Sequence, residues 1–206
     1  MMARVSAAPA AAEVTGVVLA GGLGRRMSTD GHGTNKAMTA FRGRPLIEHV
    51  IDRIRPQVAS LIINADPDDP SWRSLSLRVI ADRIPDRPGP LAGVHAALMA
   101  IQTPWLVCVP CDTPLLPADL VSRLTQAQAH AEADRVSVRC GTQAHPVIAL
   151  LHQSLAGELA QYLTAGGRRI ETWLSQGRWV EAHFDDEQAF VNLNTADELR
   201  RLESTP

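Results

Sequence analysis

Residues 14–26 have the sequence VTGVVLAGGLGRR, and this stretch decides the class of fold. Residues 14–19 are apolar and mostly β-branched, which predicts a buried strand. The glycines that follow permit a tight loop whose backbone N–H groups can approach an anion closely. Arg25 and Arg26 add positive charge beside that loop, although the spacing matches neither G-x-G-x-x-G nor a Walker A motif. We therefore expect a strand that ends in an anion-binding loop.

Strands and helices alternate along the chain that follows. Apolar runs indicate strands, and apolar residues at helical spacing indicate helices. These patterns predict strands at 60–65, 77–82 and 105–110, and helices that include 46–54, 91–101 and 116–124. Residues 20–45 and 83–93, which are rich in glycine, proline and polar residues, are expected to be loops.

The pattern changes in the last third of the chain. Residues 135–151 predict a β-hairpin that turns near Gly141. Two short helices and a strand at 178–184 follow, and Thr195 with Glu198 is a candidate capping box for a last helix. Since alternating strands and helices are typical of a parallel sheet covered on both faces, we expect an α/β fold. Its sheet should be mostly parallel, with a β-hairpin-containing C-terminal part.

Composition restricts the kind of protein. The 206 residues are 45% hydrophobic and 20% charged, which indicates a folded chain. We predict a flexible N-terminal tail over 1–13 and one domain over 14–203. A net charge of −2 predicts no general nucleic-acid binding. Three cysteines make no disulfide framework, and no apolar run approaches the ~18 residues of a membrane span, so we expect a cytoplasmic protein.

Polar side chains follow the predicted strands where each strand ends. Asn64, Asp82 and Asp112 occupy these positions, and the chain's only lysine, Lys36, lies in the loop after the first strand. In open α/β sheets, ligands bind beyond the carboxyl ends of the strands. Lysine can pair with phosphate, and a carboxylate there can hold a Mg²⁺ ion that bridges phosphates. Together these residues predict a nucleoside triphosphate site.

The cysteines suggest two other kinds of site. Cys108 and Cys111 form a C-x-x-C pair, as in thiol-disulfide proteins. With Cys140 and His145 they could also be counted as zinc ligands. Because Cys108 lies inside an apolar strand, we expect these cysteines to be buried core residues instead.

A second group of polar residues lies in the last third. Asn192 and Asn194 are half of the four asparagines in the chain, and they directly precede the last predicted helix. His145 opens a predicted strand, and Arg168 follows a pair of glycines. The asparagines predict a site for a second polar or anionic substrate.

Six motifs, in this order, resemble the molybdenum cofactor guanylyltransferase (MobA) family. They are LAGGLGRRM (19–27), NKAM (35–38), GPLAG (89–93), VPCDTP (109–114), AHPVIALL (144–151) and VNLNT (191–195). The resemblance covers nearly the whole chain, and the first motif alone indicates only a nucleotidyltransferase. It implies a Rossmann-like three-layer nucleotidyltransferase fold and transfer of GMP from GTP to Mo-molybdopterin, with Mg²⁺ as cofactor and pyrophosphate as second product.

The resemblance also implies that the domain divides into a GTP-binding part (14–133) and a pterin-side part (134–203), and it implies roles for particular residues. It implies a GTP site made of Leu19, Ala20, Gly21, Gly22, Lys36, Asn64, Asp82 and Asp112, with Asp112 as the metal ligand. It implies that Lys36, Arg25 and Asp112 act in catalysis. It implies a pterin side made of Gly89, Gly93, His145, Arg168, Asn192 and Asn194. The expected partners are GTP, Mo-molybdopterin, other cofactor-assembly proteins and the recipient apoenzyme, with no nucleic acid and no membrane.

One departure from the family pattern lies before the lysine. Residues 28–35 are longer than the usual run, and Asn35 stands where the family usually has an aspartate. We expect this change to leave the charge of Lys36 freer for phosphate. Three alternatives stay open: a related nucleotidyltransferase with another base or acceptor, such as a cytidylyltransferase, a non-catalytic pterin carrier, and a thiol-disulfide protein.

Overall fold

A computed structural model describes residues 7–21, 35–84 and 89–203. The strands are β1 (Val14–Leu19), β2 (Ala40–Phe41), β3 (Arg44–Pro45), β4 (Ser60–Asn64), β5 (Arg78–Ile80), β6 (Trp105–Pro110), β7 (Arg135–Cys140), β8 (Gln143–His152) and β9 (Trp179–Phe184). The α-helices are α1 (Leu46–Ile54), α2 (Pro90–Leu98), α3 (Leu120–Ala131), α4 (Ala156–Thr164), α5 (Ile170–Leu174) and α6 (Ala196–Glu203).

Seven of these strands form one sheet in the order β5-β4-β1-β6-β8-β7-β9. The β5-β4, β4-β1, β1-β6 and β7-β9 pairs are parallel, whereas β8 runs antiparallel to β6 and β7. The prediction of a mostly parallel α/β sheet with a C-terminal hairpin is therefore confirmed. Within the described residues, no helix is both long and apolar enough to cross a bilayer.

The sheet is the middle of three layers. Along β1, Val14 and Val18 contribute to an apolar cluster on one face, with α1 and α3, while Val17 contributes to a cluster on the other face, with α2, α4 and α5. All three valines are fully buried. Burial on both faces explains why apolar and polar residues do not alternate along this strand.

Two predicted loops are shorter than expected. The segment after residue 35 contains a 3₁₀ turn, Lys36–Met38, and the hairpin of β2 and β3, whose turn residues Arg42 and Gly43 have φ of 48° and 77°. Two-residue strands are too short to show an alternating pattern, so the sequence does not reveal them. The prediction of a loop through residue 93 was wrong at its end, because α2 begins at Pro90, a residue well suited to a first helical turn.

A small apolar cluster joins distant parts of the chain. Phe41 and Leu46, from the β2–β3 hairpin and α1, pack with Leu193 and Leu199, which precede and belong to α6. The predicted capping box of α6 is present: Thr195 N donates to Glu198 Oε2 at 2.9 Å, and Glu198 N donates to Thr195 Oγ1 at 3.2 Å. This cluster brings the last helix to the edge of the sheet where β1 ends.

A buried arginine holds the second half of the sheet to its helices. Arg135 is 1% exposed and forms ion pairs with Asp134 at 2.8 Å and Glu158 at 2.9 Å. Its guanidinium also donates to the carbonyl of Trp173 at 3.0 Å. Because a buried charge is costly unless it is paired and hydrogen-bonded, this network fixes α4 and α5 against β7.

The N-terminal segment contains little regular structure. Residues 11–13 form a single 3₁₀ turn before β1. Residues 1–6 of the predicted tail lie outside the described residues.

Candidate active site

The carboxyl ends of three parallel strands meet at one edge of the sheet. Leu19, the last residue of β1, is in register with Asn64 of β4 and Pro110 of β6. Ala20 N donates to Asn64 O at 2.9 Å, and Cys111 N donates to Leu19 O at 3.2 Å. The start of the glycine loop is therefore held between the two segments that carry Asn64 and Asp112.

Lys36 lies at the centre of the polar residues. Its Nζ donates to Asp112 Oδ2 and to Asn194 Oδ1, both at 2.5 Å. The Lys36 and Asp112 side chains are 17% and 16% exposed. The lysine charge is thus paired with Asp112, and the effect of Asn35 on its freedom for phosphate stays a prediction. Asn35 caps the turn at Lys36 and donates to Asp69 Oδ2 at 3.0 Å.

Asp112 has one carboxylate oxygen without a partner. Oδ2 accepts from Lys36, whereas Oδ1 is buried and has no hydrogen-bond partner among residues 7–21, 35–84 and 89–203. A buried anionic oxygen without a partner is costly, so it fits a site that a cation completes. No group of three or more His, Cys, Asp or Glu side chains able to hold a metal occurs in the described parts of the chain. Such a sparse oxygen site fits Mg²⁺, which is usually bound by one or two carboxylates together with phosphates and water.

Asn64 is held tightly between glycines. Its side chain is 4% exposed, and its Nδ2 donates to Asp82 Oδ1 at 2.9 Å and to Ile80 O at 3.3 Å. A Cβ on Gly93 would lie 2.1 Å from Asn64 Oδ1, and one on Gly21 would lie 3.4 Å from it. The structure therefore places Gly93, which the resemblance assigns to the pterin side, against the candidate nucleotide residue Asn64.

We predict that Gly93→Ala raises the KM for the nucleoside triphosphate about tenfold, because the added methyl group must displace the Asn64 side chain from Asp82. Overpacking of this kind typically costs 1–3 kcal/mol, or about tenfold in binding. Gly157→Ala is the matched control, since Gly157 is also helical and a Cβ there meets nothing within 4 Å. Steady-state kinetics of both variants check this prediction, and equal KM values for the nucleoside triphosphate would contradict it.

A pocket of about 300 Å³ lies beside Lys36. It is lined by Cys140, Gln143, His145, Glu187, Phe190, Val191, Asn192 and Asn194. The rings of His145 and Phe190 are 5.3 Å apart and form part of its wall. Burial lowers the pKa of His145, which favours the neutral form of this side chain. The structure thus brings together three residues predicted for the pterin side: His145, Asn192 and Asn194.

The remaining predicted residues lie elsewhere. Arg168 does not line the pocket, and its guanidinium donates to Leu163 O at 2.9 Å and Gly167 O at 2.7 Å, which caps the end of α4. Gly89 precedes α2 with φ of 82°, a conformation that favours glycine. Gly22 and Arg25 lie outside the described residues.

Sequence reasoning missed one polar residue of this site. Thr113 is fully buried, and its Oγ1 donates to Asn192 Oδ1 at 2.7 Å. Next to it, Leu193 N donates to Asp112 O at 2.9 Å. The position of Thr113 directly after Asp112 was the available signal, but only the folded chain shows what the hydroxyl contacts.

The cysteines are core residues, as predicted. Cys108 and Cys111 are buried, and burial raises the pKa of both thiols, that of Cys111 to about 12. Because the thiolate is the reactive form, these cysteines have little nucleophilic or redox capacity near pH 7. Neither they nor Cys140 belong to a metal-binding group among the described residues.

Comparison with known proteins identifies the family. The model of the MobA-like NTP transferase domain matches residues 16–180. The chain belongs to this family. It is 44% identical over 197 residues to the molybdenum cofactor guanylyltransferase of Cupriavidus pinatubonensis, an alignment that covers 93% of this chain and 97% of that protein. The guanylyltransferase of Bordetella pertussis is 39% identical over 197 residues, with 93% and 98% covered.

A solved structure agrees with these sequence relatives. Molybdopterin-guanine dinucleotide biosynthesis protein A from Archaeoglobus fulgidus superposes with a TM-score of 0.73 at 27% identity, covering 92% of this chain and 96% of that one. The resemblance to the MobA family is confirmed, and with it the predictions of a nucleotidyltransferase fold and of a nucleotidyltransferase enzyme. The family match ends at residue 180, so Asn192 and Asn194 lie beyond it.

Proposed function

We propose that this enzyme transfers GMP from GTP to Mo-molybdopterin and releases pyrophosphate. The observation that carries the proposal is the position of Lys36, whose Nζ contacts Asp112 on the nucleotide side and Asn194 on the side of the pocket. A phosphoryl group bound at Lys36 would therefore lie where the nucleotide and the acceptor meet. The guanylyltransferases among its relatives support GTP as donor and molybdopterin as acceptor.

The nucleotide side of this proposal consists of the strand ends. Leu19, Ala20 and Gly21 border the buried side chain of Asn64, and we assign them with Gly22 to the guanine nucleotide. Asp82, oriented by its hydrogen bond from Asn64, is available to accept from the base or ribose. We add Gly93 to this side, because its missing side chain makes room for Asn64.

We assign Asp112 as the residue that would hold Mg²⁺, through the carboxylate oxygen that has no partner. A bound Mg²⁺ would supply charge stabilisation for the phosphate oxygens. Lys36 would supply a second positive charge beside it, and Arg25 is assigned a similar part. These charges are needed because two polyanionic substrates repel each other.

The chemical step needs no nucleophile from the protein. The terminal phosphate oxygen of the acceptor is already ionised, and we propose that it attacks the α-phosphorus of GTP in line. The new P–O bond forms as the bond to the β-phosphate oxygen breaks, and pyrophosphate leaves with the electron pair. The enzyme contributes positioning and charge stabilisation, the main sources of catalysis in phosphoryl and nucleotidyl transfer. The high pKa of the buried cysteines is consistent with this assignment.

We assign the pocket beside Lys36 to the acceptor, with His145, Asn192 and Asn194 as its residues. We assign Gly89 and Arg168 to the outer part of this side, since neither residue lines the pocket. The division into a nucleotide part (14–133) and a pterin part (134–203) is retained as a proposal, with Lys36 crossing from the first part to the second. We also propose that the reaction takes place in the cytoplasm, where GTP is abundant. The product is then delivered to other assembly proteins and to the recipient apoenzyme.

The test is pyrophosphate release from the purified enzyme with Mg²⁺, with and without Mo-molybdopterin, using GTP, ATP, CTP or UTP. Release with GTP but with none of the other three nucleotides, and only when the pterin is present, would establish GTP as the donor and Mo-molybdopterin as the acceptor. Preference for CTP would assign a cytidylyltransferase instead. Binding of GTP and pterin without any release would overturn the catalytic assignment in favour of a carrier.

A further inference from the structure

The two asparagines of the pocket are each held by their side-chain oxygen. Lys36 Nζ donates to Asn194 Oδ1 at 2.5 Å, and Thr113 Oγ1 donates to Asn192 Oδ1 at 2.7 Å. A lysine ammonium has donors only, so the oxygen of Asn194 must face it. Within the described part of the chain, neither asparagine Nδ2 donates a hydrogen bond, and both residues line the pocket. Both amides therefore have an unused N–H₂ group.

The Thr113 side chain lies in a well-fixed part of the structure. It is fully buried, and the adjacent hydrogen bond from Leu193 N to Asp112 O at 2.9 Å joins the same two segments. Asn192 itself is exposed, so its amide could otherwise turn and present its oxygen to the pocket. In the structure the threonine hydroxyl donates its proton to Oδ1, and in this orientation of the amide Nδ2 makes no hydrogen bond to a described residue.

We propose that Thr113 is a positioning residue that orients the Asn192 amide, so that Asn192 and Asn194 together present two N–H₂ donors to an oxyanion. This proposal rests on the proposed function and deepens it: the oxyanion is the terminal phosphate of the acceptor substrate. The pocket's carboxylate, Glu187, repels a phosphate, whereas Asn194 adjoins the positive charge of Lys36. The phosphate end of the acceptor therefore lies at the asparagines, beside Asp112, where it must react.

The first test compares Thr113→Val with Thr113→Ser. Valine keeps the shape of threonine without the hydroxyl, whereas serine keeps the hydroxyl. We expect Thr113→Val to raise the KM for Mo-molybdopterin about tenfold, the effect of losing a hydrogen bond to a charged group. Its KM for GTP should stay within twofold, and Thr113→Ser should retain wild-type KM values for both substrates. An unchanged KM for the pterin in Thr113→Val, or an equal rise in both KM values, would overturn the proposal.

Asn192→Asp is the second variant, and it does not disturb the buried threonine. Aspartate keeps an oxygen that accepts from Thr113 and replaces the N–H₂ group by a negative oxygen. We expect at least a tenfold loss of Mo-molybdopterin affinity, measured by equilibrium binding without GTP, and wild-type affinity would overturn the proposal. Failure of the proposed function is distinguishable, since the wild-type enzyme would then release no pyrophosphate from GTP in the presence of Mo-molybdopterin. Failure of the Thr113 proposal would leave that wild-type release intact, and only the expected effects of the variants would be absent.

Discussion

Replacing Asp112 by asparagine is expected to lower the rate of pyrophosphate release from GTP about 10³-fold. The carboxylate oxygen that has no partner in the structure is the assigned contact to Mg²⁺. Asparagine has nearly the same shape but lacks the charge, and the lost stabilisation of phosphate charge corresponds to about 4 kcal/mol. The other side-chain oxygen can still accept from Lys36, so the free energy of unfolding should change by no more than about 1 kcal/mol.

The measurement is kcat as a function of Mg²⁺ concentration, together with thermal unfolding. Asp119→Asn is the matched control, because Asp119 also follows β6 but is exposed and makes no side-chain capping bond to α3. That variant should keep wild-type turnover. If Asp112→Asn retained more than a tenth of wild-type turnover at saturating Mg²⁺, the assignment of Asp112 to the metal would be wrong.

Replacing Lys36 by methionine should lower kcat about 10²-fold, because methionine keeps an unbranched apolar chain and removes the charge. Removal of one positively charged phosphate contact typically costs a few kcal/mol in a transition state. The change also leaves the Asp112 carboxylate without its ion-pair partner. The effects of Lys36→Met and Asp112→Asn should therefore not add in the double variant, since residues in contact act as a unit.

Lys36 offers an independent chemical test because it is the only lysine in the chain. An amine-selective acylating reagent can modify only this side chain and the terminal amine, so loss of activity should follow modification of one side chain. GTP with Mg²⁺ should slow that modification. Arg53→Met, a change on the exposed side of α1, serves as the control for removing a positive charge. Full activity after complete acylation of Lys36 would exclude its catalytic role.

The fold was largely predictable because its central strands are buried on both faces. β6 is an uninterrupted apolar run, β1 is interrupted in its apolar run only at Thr15 and Gly16, and the glycines, prolines and polar residues that follow mark where the two strands end. The β2–β3 hairpin was not predictable, because strands of two residues carry no periodicity and are stabilised by Phe41 packing against distant leucines. Tertiary contacts, rather than local preference, produce that element.

Part of the candidate site could also be predicted. The scarcity of lysine and asparagine pointed to Lys36, Asn192 and Asn194, and the structure brings Lys36 and Asn194 into contact. The surroundings of Gly93 and Thr113 could not be read from the sequence. Each depends on a contact with a residue far along the chain, Asn64 for Gly93 and Asn192 for Thr113. A single sequence does not reveal which distant residues meet in this way.

The apolar cluster that packs α6 against the β2–β3 hairpin affects the order in which the two halves of the active site form during synthesis. Lys36 and Asn194, which it brings together, are separated by 158 residues. Closing so long a loop has an entropic cost that contacts nearby in the chain do not have, so such contacts form late. A nascent chain that has emerged only through β6 already carries the strand ends assigned to GTP. It lacks the amide donors of the acceptor pocket, so nucleotide binding should precede transferase activity as the chain is completed.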